Sequence, residues 1–410
     1  MSRGDSFQHS QHLPLAGLRV VEFTHMVMGP TCGMILADLG AEVVKVEPLE
    51  GDRTRSLPGL GIGFFPLFNR NKKSLALDLR HPDGCETAQD LCERADIVIE
   101  NFKPGTMAKY GLDYASLSAA NPGLIYVTCK GFLPGPYERR TALDEVVQMM
   151  GGLAYMTGRP GDPLRAGSSV NDIMGGMFGA IGAISALVQR GITGRGQEVQ
   201  SALFENNVLL VAQHMVQHAI TREPLPPLPE RVSAWAVYDV FKVMDGAIFL
   251  AAVSDAQWQT FCRVLGYDDL LADTAFATNS QRVHARPTLL PMLRTRLANR
   301  TKAELSQLFE ANGLPFAPIS RPEDLYDDPH LQATGGIVPM VLPDGEQAGT
   351  QVGTALLPIL MQGWRPGIRL DPPRLGQHTA ELLRELGYDE SRVETLEAGK
   401  AVHRETPAGN

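Results

Sequence analysis

The sequence predicts an α/β fold in which a mostly parallel sheet carries helices on both faces and is followed by a smaller α+β region. Short apolar segments alternate with helical patterns through the first half of the chain. Strands that are buried on both faces of a parallel sheet have this continuous apolar character. The proline-rich residues 224–229 then interrupt the pattern, and prolines at this density form a stiff linker.

The individual elements follow from local patterns. Gly40 ends the first predicted helix and Pro82 stands in the first turn of the second one, each where that residue is favoured. In the second half, Met244-Asp245-Gly246 joins two apolar runs and indicates a hairpin. The predicted strands are 18–23, 41–46, 74–79, 95–99, 124–128, 238–243 and 247–253, and the predicted helices are 33–39, 81–94, 255–265, 301–312 and a final one at 375–386.

Composition excludes several classes of protein. The formal net charge of −9 argues against a non-specific nucleic-acid binder, which needs lysine and arginine to neutralise phosphates. The 5 cysteines form no CxxC pair or Cys/His cluster, so we expect no disulfide framework, no metal site and a cytoplasmic location. The polar N-terminus lacks a signal-peptide pattern. No run of about 18 apolar residues occurs, so we expect no membrane span and no membrane partner; the apolar stretch 175–188 predicts a buried helix.

Ligands of parallel sheets bind beyond the carboxyl ends of the strands. The residues at these ends include Thr24-His25 and Glu100-Asn101-Phe102. The first strand is not followed by G-x-G-x-x-G, and the chain has no G-x-x-x-x-G-K-[ST] loop. The sequence therefore gives no support to NAD or ATP as the ligand.

Several segments, in order and spacing, resemble the class III CoA-transferases, a family that includes formyl-CoA transferase, carnitine CoA-transferase and, as a relative, α-methylacyl-CoA racemase. The similarity extends from about Leu15 to His378. The matching segments are Leu15-Ala16-Gly17-Leu18-Arg19-Val20-Val21-Glu22, Gly40-Ala41-Glu42-Val43-Val44-Lys45-Val46-Glu47, Asn71-Lys72-Lys73-Ser74-Leu75-Ala76-Leu77-Asp78-Leu79, Glu100-Asn101-Phe102-Lys103-Pro104-Gly105 and Thr193-Gly194-Arg195-Gly196-Gln197.

The resemblance implies a Rossmann-like large domain, a small α+β domain and a homodimer of interlocked chains. With the linker, it predicts an N-terminal tail at 1–14, a CoA-binding domain at 15–223, a linker and small domain at 224–335, and a return segment at 336–410 whose C-terminal helix packs on the large domain. It also implies CoA or acyl-CoA as a substrate, a carboxylic acid as the second substrate, and no tightly bound cofactor.

The family's nucleophile is an aspartate before a glycine-containing helix, and Asp172 occupies that position in Ser169-Val170-Asn171-Asp172-Ile173-Met174-Gly175-Gly176. A carboxylate can attack a thioester and carry CoA as a covalent intermediate. A helix start stabilises an anion, and Gly175 and Gly176 would let a thioester approach closely. Without the resemblance, an N-cap of the apolar helix would be the preferred interpretation of Asp172.

A second acid and a set of CoA contacts follow from the same comparison. Asp144 is the acidic residue that could assist proton transfer or orient the substrate, or be a solvated carboxylate at a helix start. The residues expected to contact CoA are His25, Arg55, Leu77, Arg80, Asn101, Phe102 and Lys109. Surface positions for Arg80 and Lys109, and a buried structural role for His25, are the alternatives.

The racemase branch uses a histidine base in R-A-G-H-D, where this chain has Arg140-Thr141-Ala142-Leu143-Asp144. Leucine carries no proton, so the sequence favours a transferase over a racemase, and the presence of Asp172 favours it over a CoA-binding protein without turnover. Arg159, Arg165 or Arg231 could hold a second carboxylate, which suggests a succinyl-CoA-dependent enzyme acting on dicarboxylic acids; a surface role is the alternative for each.

Overall fold

The computed structural model describes residues 13–230 and 233–405. The predicted tail lies almost wholly outside the described residues, as does Arg231. The chain divides into two compact units, one formed by residues up to Leu228 together with those from Gln332 onward, and the other by Pro229–Leu331.

The first unit begins with six strands that alternate with helices. The strands are β1 (Arg19–Phe23), β2 (Glu42–Glu47), β3 (Lys72–Leu77), β4 (Ile97–Glu100), β5 (Ile125–Lys130) and β6 (Glu198–Ala202). The helices are α1 (Met28–Asp38), α2 (Phe64–Phe68), α3 (Pro82–Glu93), α4 (Tyr114–Ala120), α5 (Asp144–Met150), α6 (Leu153–Thr157), α7 (Val170–Thr193) and α8 (Leu203–Thr221).

The second unit contains a three-stranded antiparallel sheet covered by helices. Its strands are β7 (Val237–Val243), β8 (Gly246–Ala252) and β9 (Phe316–Pro318), in the order β7-β8-β9. Its helices are α9 (Asp255–Leu265), α10 (Asp268–Ala272), α11 (Asn279–His284), α12 (Arg286–Leu297) and α13 (Lys302–Ala311), and α14 (Pro329–Ala333) lies at its end. Trp258, Phe261 and Phe309 are among its fully buried aromatic residues.

The rest of the chain belongs to the first unit. It forms the hairpin β10 (Ile337–Val341) and β11 (Gln351–Ala355), then α15 (Thr379–Glu385), α16 (Glu390–Ala398) and β12 (Val402–His403). The prediction of a final helix at 375–386 is therefore wrong in two respects. The helix begins at Thr379 because the residues before it form turns, and a further helix and strand follow it.

The large sheet has the order β12-β3-β2-β1-β4-β5-β6, with β1 to β6 parallel and β12 antiparallel to β3. Neighbouring strand residues point to opposite faces. Val21 and Val98 therefore enter one core cluster and Val20 and Ile97 the other. The strand order reverses between β1 and β4, which makes the carboxyl ends of these two strands the expected ligand-binding edge.

Helix α7 is central to the site and is longer than the predicted apolar stretch. By length and composition alone it could cross a membrane, but the core helix of a globular protein passes the same test. Its small residues Gly176, Gly179, Ala180 and Ala183 are buried. A methyl group on Gly176 would lie 2.5 Å from Cβ of Thr31 in α1, so the two helices are in close contact.

Candidate active site

Asp172 is the third residue of α7. The residue before the helix, Ser169, makes no side-chain cap. The cap comes instead from Asp144, the first residue of α5, whose Oδ2 accepts the backbone N–H groups of Asn171 at 2.7 Å and Asp172 at 3.0 Å. The first N–H groups of a helix have no partner within the helix, so Asp144 satisfies two of them from outside.

This arrangement puts two acids close together. Burial raises the pKa of Asp172 to about 7, and the charges of Asp144 and Glu145 add to the increase. A helix start normally favours an ionised carboxylate. Here Asp144 already takes two of the N–H groups, so the helix start stabilises Asp172 less and the neighbouring negative charge opposes its ionisation.

Asp144 is itself held in place. Its side chain is buried, and its Oδ1 accepts a hydrogen bond from Nε2 of Gln148, one turn along α5. Gln148 is fully buried, and its Oε1 accepts the backbone N–H of Ala166 at 2.8 Å. Asp144 is therefore a positioning residue for the start of α7 in this structure, which differs from a solvated carboxylate.

Gly175 and Gly176 face the protein interior. A Cβ atom at Gly175 would lie 2.5 Å from Cε of Met28, and one at Gly176 would lie 2.6 Å from the carbonyl oxygen of Met28. These glycines let α7 approach α1, which is a different reason for glycine than the expected access of a thioester.

A cavity of about 640 Å³ lies beyond the carboxyl ends of β1, β2 and β3. This volume is within the range of pockets that bind organic ligands. Four of the seven expected CoA contacts line it, namely His25, Leu77, Arg80 and Phe102. Tyr110, Glu50, Asp52 and Arg53 also line it.

His25 and Asn101 are joined at the point where the strand order reverses. Asn101 Oδ1 accepts the backbone N–H of His25 at 3.0 Å, and its Nδ2 donates to the carbonyl of His25 at 2.8 Å. The His25 ring packs edge-on against Phe102. Asn101 does not line the cavity but orients the two residues that do. Burial lowers the pKa of His25, with Lys45 and Arg53 acting in the same direction and Asp52 against it.

Arg55 and Lys109 were expected to contact CoA, but neither of them lines the cavity. Arg55 donates to both carboxylate oxygens of Glu47, forms an ion pair with Asp344 and donates to the carbonyl of Pro373. These bonds and the ring of Phe65 engage its guanidinium, so Arg55 supports the fold and does not line the cavity. Lys109 is exposed and also lies outside the cavity lining.

Sequence reasoning missed Arg53, an exposed cation that does line the cavity. Only the position of Arg53 two residues before Arg55 in the same basic segment pointed towards it. Arg80 lines the cavity as expected and is exposed, and it pairs with Asp78 through its Nε at 2.9 Å. The cavity thus presents two exposed arginines suited to phosphate groups.

The buried side chain of Lys45 holds together two loops that line the cavity. Nζ of Lys45 donates to the carbonyl of Thr24 at 2.8 Å and pairs with Asp52 at 3.0 Å, while Glu22 lies 3.7 Å away. Lys45 thereby connects the loop after β1 to the loop after β2, both of which line the cavity.

Asp172 is not among the residues that line this cavity, but its helix is connected to it through the start of α1. Met28 begins α1 three residues after His25 and lies against Gly175, less than one turn after Asp172. The start of α1 therefore separates the two parts of the site. Among the described residues, no group of three or more His, Cys, Asp or Glu side chains could hold a metal ion.

Comparisons with known proteins identify the family of this chain. The sequence model of CoA-transferase family III matches residues 15–379. The chain is 35% identical to succinate–glutarate CoA-transferase of Agrobacterium fabrum, covering 91% of this chain and 96% of that protein. It is 34% identical to succinyl-CoA:mesaconate CoA-transferase of Haloarcula hispanica, covering 93% and 99%.

A solved structure shares the fold. The crystal structure of a CaiB/BaiF family protein from Brucella suis aligns with a TM-score of 0.80 at 35% identity, covering 91% of this chain and 99% of the other. The fold and the matched sequence define an enzyme that transfers CoA between acids and uses CoA thioesters as substrates. The chain belongs to CoA-transferase family III.

Proposed function

We propose that this enzyme moves CoA from succinyl-CoA or a similar donor to a dicarboxylic acid, with Asp172 as the covalent carrier. The observation that carries this proposal is the position of Asp172 at the start of α7, where only the start of α1 separates its helix from the cavity and where it has no side-chain ion-pair partner among the described residues. A carboxylate in that state is available as a nucleophile once it is ionised.

The chemistry passes through two types of intermediate. The Asp172 carboxylate attacks the thioester carbonyl, the C–S bond breaks, and CoA leaves as a thiolate with a mixed anhydride on Asp172. The thiolate then attacks the aspartyl carbonyl, which releases the donor acid and leaves CoA as a thioester on Asp172. The acceptor carboxylate runs the same two steps in reverse, so no net proton or electron is required.

The CoA moiety occupies the cavity beyond β1, β2 and β3 in this proposal. Arg53 and Arg80 contact its phosphates, and Leu77 and Phe102 supply apolar walls for the adenine end. The pantetheine arm runs past His25 and the start of α1 towards Asp172. Asp144 fixes the backbone of Asp172 by accepting its N–H group.

The dicarboxylate preference is supported by the relatives, whose names specify glutarate, mesaconate and citramalate as the acids. A racemase reaction lacks its base, because Leu143 stands where the racemase branch has histidine and leucine carries no proton. Leu143 is 58% exposed.

An interlocked homodimer in the cytoplasm is part of the proposal. Helices α5, α7 and α8 carry many exposed apolar side chains, more than a monomer usually leaves in contact with water. They include Val146, Met149, Met177, Phe178, Ile181, Val188, Ile192, Leu209, Met215, Val216 and Ile220. A second copy of this chain would cover them.

A panel of acids tests the function. Purified enzyme, succinyl-CoA and candidate acids are incubated, and the new CoA thioesters are identified by mass spectrometry. We expect transfer to dicarboxylic acids, loss of transfer in Asp172→Asn with CoA binding retained, and CoA attached to the peptide that contains Asp172. Full activity of Asp172→Asn, or epimerisation of a 2-methylacyl-CoA without transfer, would contradict the proposal.

A further inference from the structure

The segment between α6 and α7 is fixed on both sides of Arg165. The backbone N–H of Leu164 donates to the carbonyl of Ala154 at 3.0 Å, and the N–H of Ala166 donates to Gln148 at 2.8 Å. Gln148 is the same side chain that holds Asp144. The backbone of Arg165 is therefore placed relative to the cap of the helix that carries Asp172.

The side chain of Arg165 also contacts α5, the helix that begins with Asp144. Its guanidinium pairs with the carboxylate of Glu145, the residue next to Asp144. Glu145 is close enough to Asp172 for its charge to contribute to the raised pKa of that carboxyl. Arg165 thus pairs with one of the two acids whose charges act on Asp172.

We propose that Arg165 is the residue that recognises the distal carboxylate of the dicarboxylic substrate. In the free enzyme the guanidinium of Arg165 is paired with Glu145. The substrate carboxylate replaces Glu145 in this pair when the substrate binds. This inference rests on the proposed function and names the group that selects the acid.

The exchange is energetically feasible because both partners are accessible. The side chains of Arg165 and Glu145 are 45% and 48% exposed. Exposed ion pairs contribute little to stability, so little is lost when Glu145 returns to water. A guanidinium can bind a carboxylate through two parallel hydrogen bonds, which gives a planar and selective contact.

The reaction uses this contact twice. Succinyl-CoA has one thioester and one free carboxylate, and the acceptor dicarboxylate keeps one free carboxylate after CoA is attached. The same guanidinium holds the non-reacting end in both halves of the cycle. An acid without a second carboxylate cannot replace Glu145 in the ion pair, so Arg165 does not contribute to the binding of that acid.

Arg159 supplies a matched control. It lies six residues earlier in the same segment and is exposed, and its backbone pairs with Asp162 in a tight turn. Unlike Arg165, it makes no contact with α5 among the described residues, so Arg159→Gln removes the same charge from the same segment away from Asp144.

The experiment compares glutarate with its monomethyl ester, which has the same chain and lacks the distal charge. Since the cycle passes through an enzyme–CoA thioester, kcat/KM for each acceptor reports its own half-reaction, whichever donor is used. We expect the wild type to prefer glutarate, Arg165→Gln to reduce that preference at least tenfold, mainly through KM, and Arg159→Gln to stay within twofold. Arg165→Lys should recover part of the preference.

Glu145→Gln gives a change in the opposite direction. At pH 8.5, where Asp172 is ionised in either protein, removal of the competing carboxylate should lower KM for glutarate about twofold to fivefold. An unchanged preference in Arg165→Gln, or an equal loss for glutarate and its ester, would overturn the role of Arg165 while CoA transfer continues. Absence of transfer by the wild type to every acid would instead overturn the proposed function.

Discussion

The carboxylate of Asp144 accepts the backbone N–H of Asp172 at 3.0 Å, so one acid of the site caps the helix that presents the other. This relationship has two effects. It fixes the backbone of Asp172, and it places a negative charge where ionisation of Asp172 is opposed. The same contact that orders the start of α7 therefore adds to the effect of burial in raising the pKa of Asp172.

The first prediction concerns the pH dependence of transfer. Because the pKa of Asp172 is raised to about 7, most of the carboxyl is protonated below that pH and cannot attack a thioester. We expect kcat/KM for the acyl-CoA to rise with pH and to level off above pH 7. Initial rates between pH 5.5 and 9 measure this.

Asp144→Asn is the matched variant for this profile. The amide oxygen can still accept the N–H groups of Asn171 and Asp172, but its charge is gone. The acidic limb should move to lower pH, with a lower maximum rate if the amide caps the helix less well. A limb that stays at the wild-type pH would show that Asp144 does not influence the ionisation of Asp172.

The second prediction concerns stability. A carboxyl with a higher pKa in the folded protein than in the unfolded chain binds its proton more tightly when folded. Its ionisation therefore destabilises the fold increasingly as pH rises from about 4 to about 7. Asp172→Asn removes this effect and should be more stable than the wild type by about 2 kcal/mol at pH 8, after allowance for partial exposure.

Urea unfolding at pH 4.5 and pH 8 checks this. The gain in the free energy of unfolding should be small at the lower pH and large at the higher one. A gain that is equal at both values would mean that the substitution acts through packing and not through charge.

The third prediction separates two neighbouring arginines. Arg53→Gln should raise KM for acyl-CoA about threefold to tenfold and leave the melting temperature unchanged, because Arg53 is exposed at the cavity. Arg55→Gln should destabilise the fold by about 3–5 kcal/mol, because it leaves Glu47 buried without its cation. Calorimetry and steady-state kinetics on both variants measure this, and the reverse pattern would contradict the assignment.

The fourth prediction uses two glycines of the same helix. Gly176→Ala should destabilise the protein by about 1–3 kcal/mol, because the new methyl group would lie 2.6 Å from the carbonyl oxygen of Met28. Gly191→Ala meets no atom within 4 Å and should be neutral or stabilising by up to about 1 kcal/mol, since alanine favours the helix. Thermal unfolding distinguishes them; equal effects would contradict the close contact of α7 with α1.

The predicted strands of the parallel sheet are all present, with ends shifted by one or two residues, because their apolar runs are long and bounded by turns. Helix α1 begins at Met28, five residues before the predicted start, since packing against α7 holds residues whose own pattern gave no indication of a helix. The last helix, α16, was missed although Asp389 is a local N-cap signal at its start. Local patterns could not predict β12, because it forms by pairing with the distant β3.

The hydrogen-bond and ion-pair partners of side chains were harder to predict from the sequence than the positions of the residues in the fold. His25, Leu77, Arg80 and Phe102 lie together at the cavity because strand ends determine their place. Arg55 was assigned to phosphate by its position in a family motif, but it pairs with Glu47 and with Asp344 and Pro373, which are 289 and 318 residues away in sequence. The hydrogen bond that the backbone N–H of Asp172 donates to Asp144 could not be predicted from a local sequence pattern either, since it joins two helices.

The pairing of β12 with β3 also orders events during synthesis of the protein. Residues 402 and 403 cover one side of β3, yet they are synthesised long after β3 itself. The unit formed by Pro229–Leu331 is complete well before then and is free to fold first. Until β12 has been synthesised, β3 keeps an open edge that can pair with other nascent chains. A chain truncated before β12 would therefore be prone to aggregate, even with Asp172 and the cavity residues present.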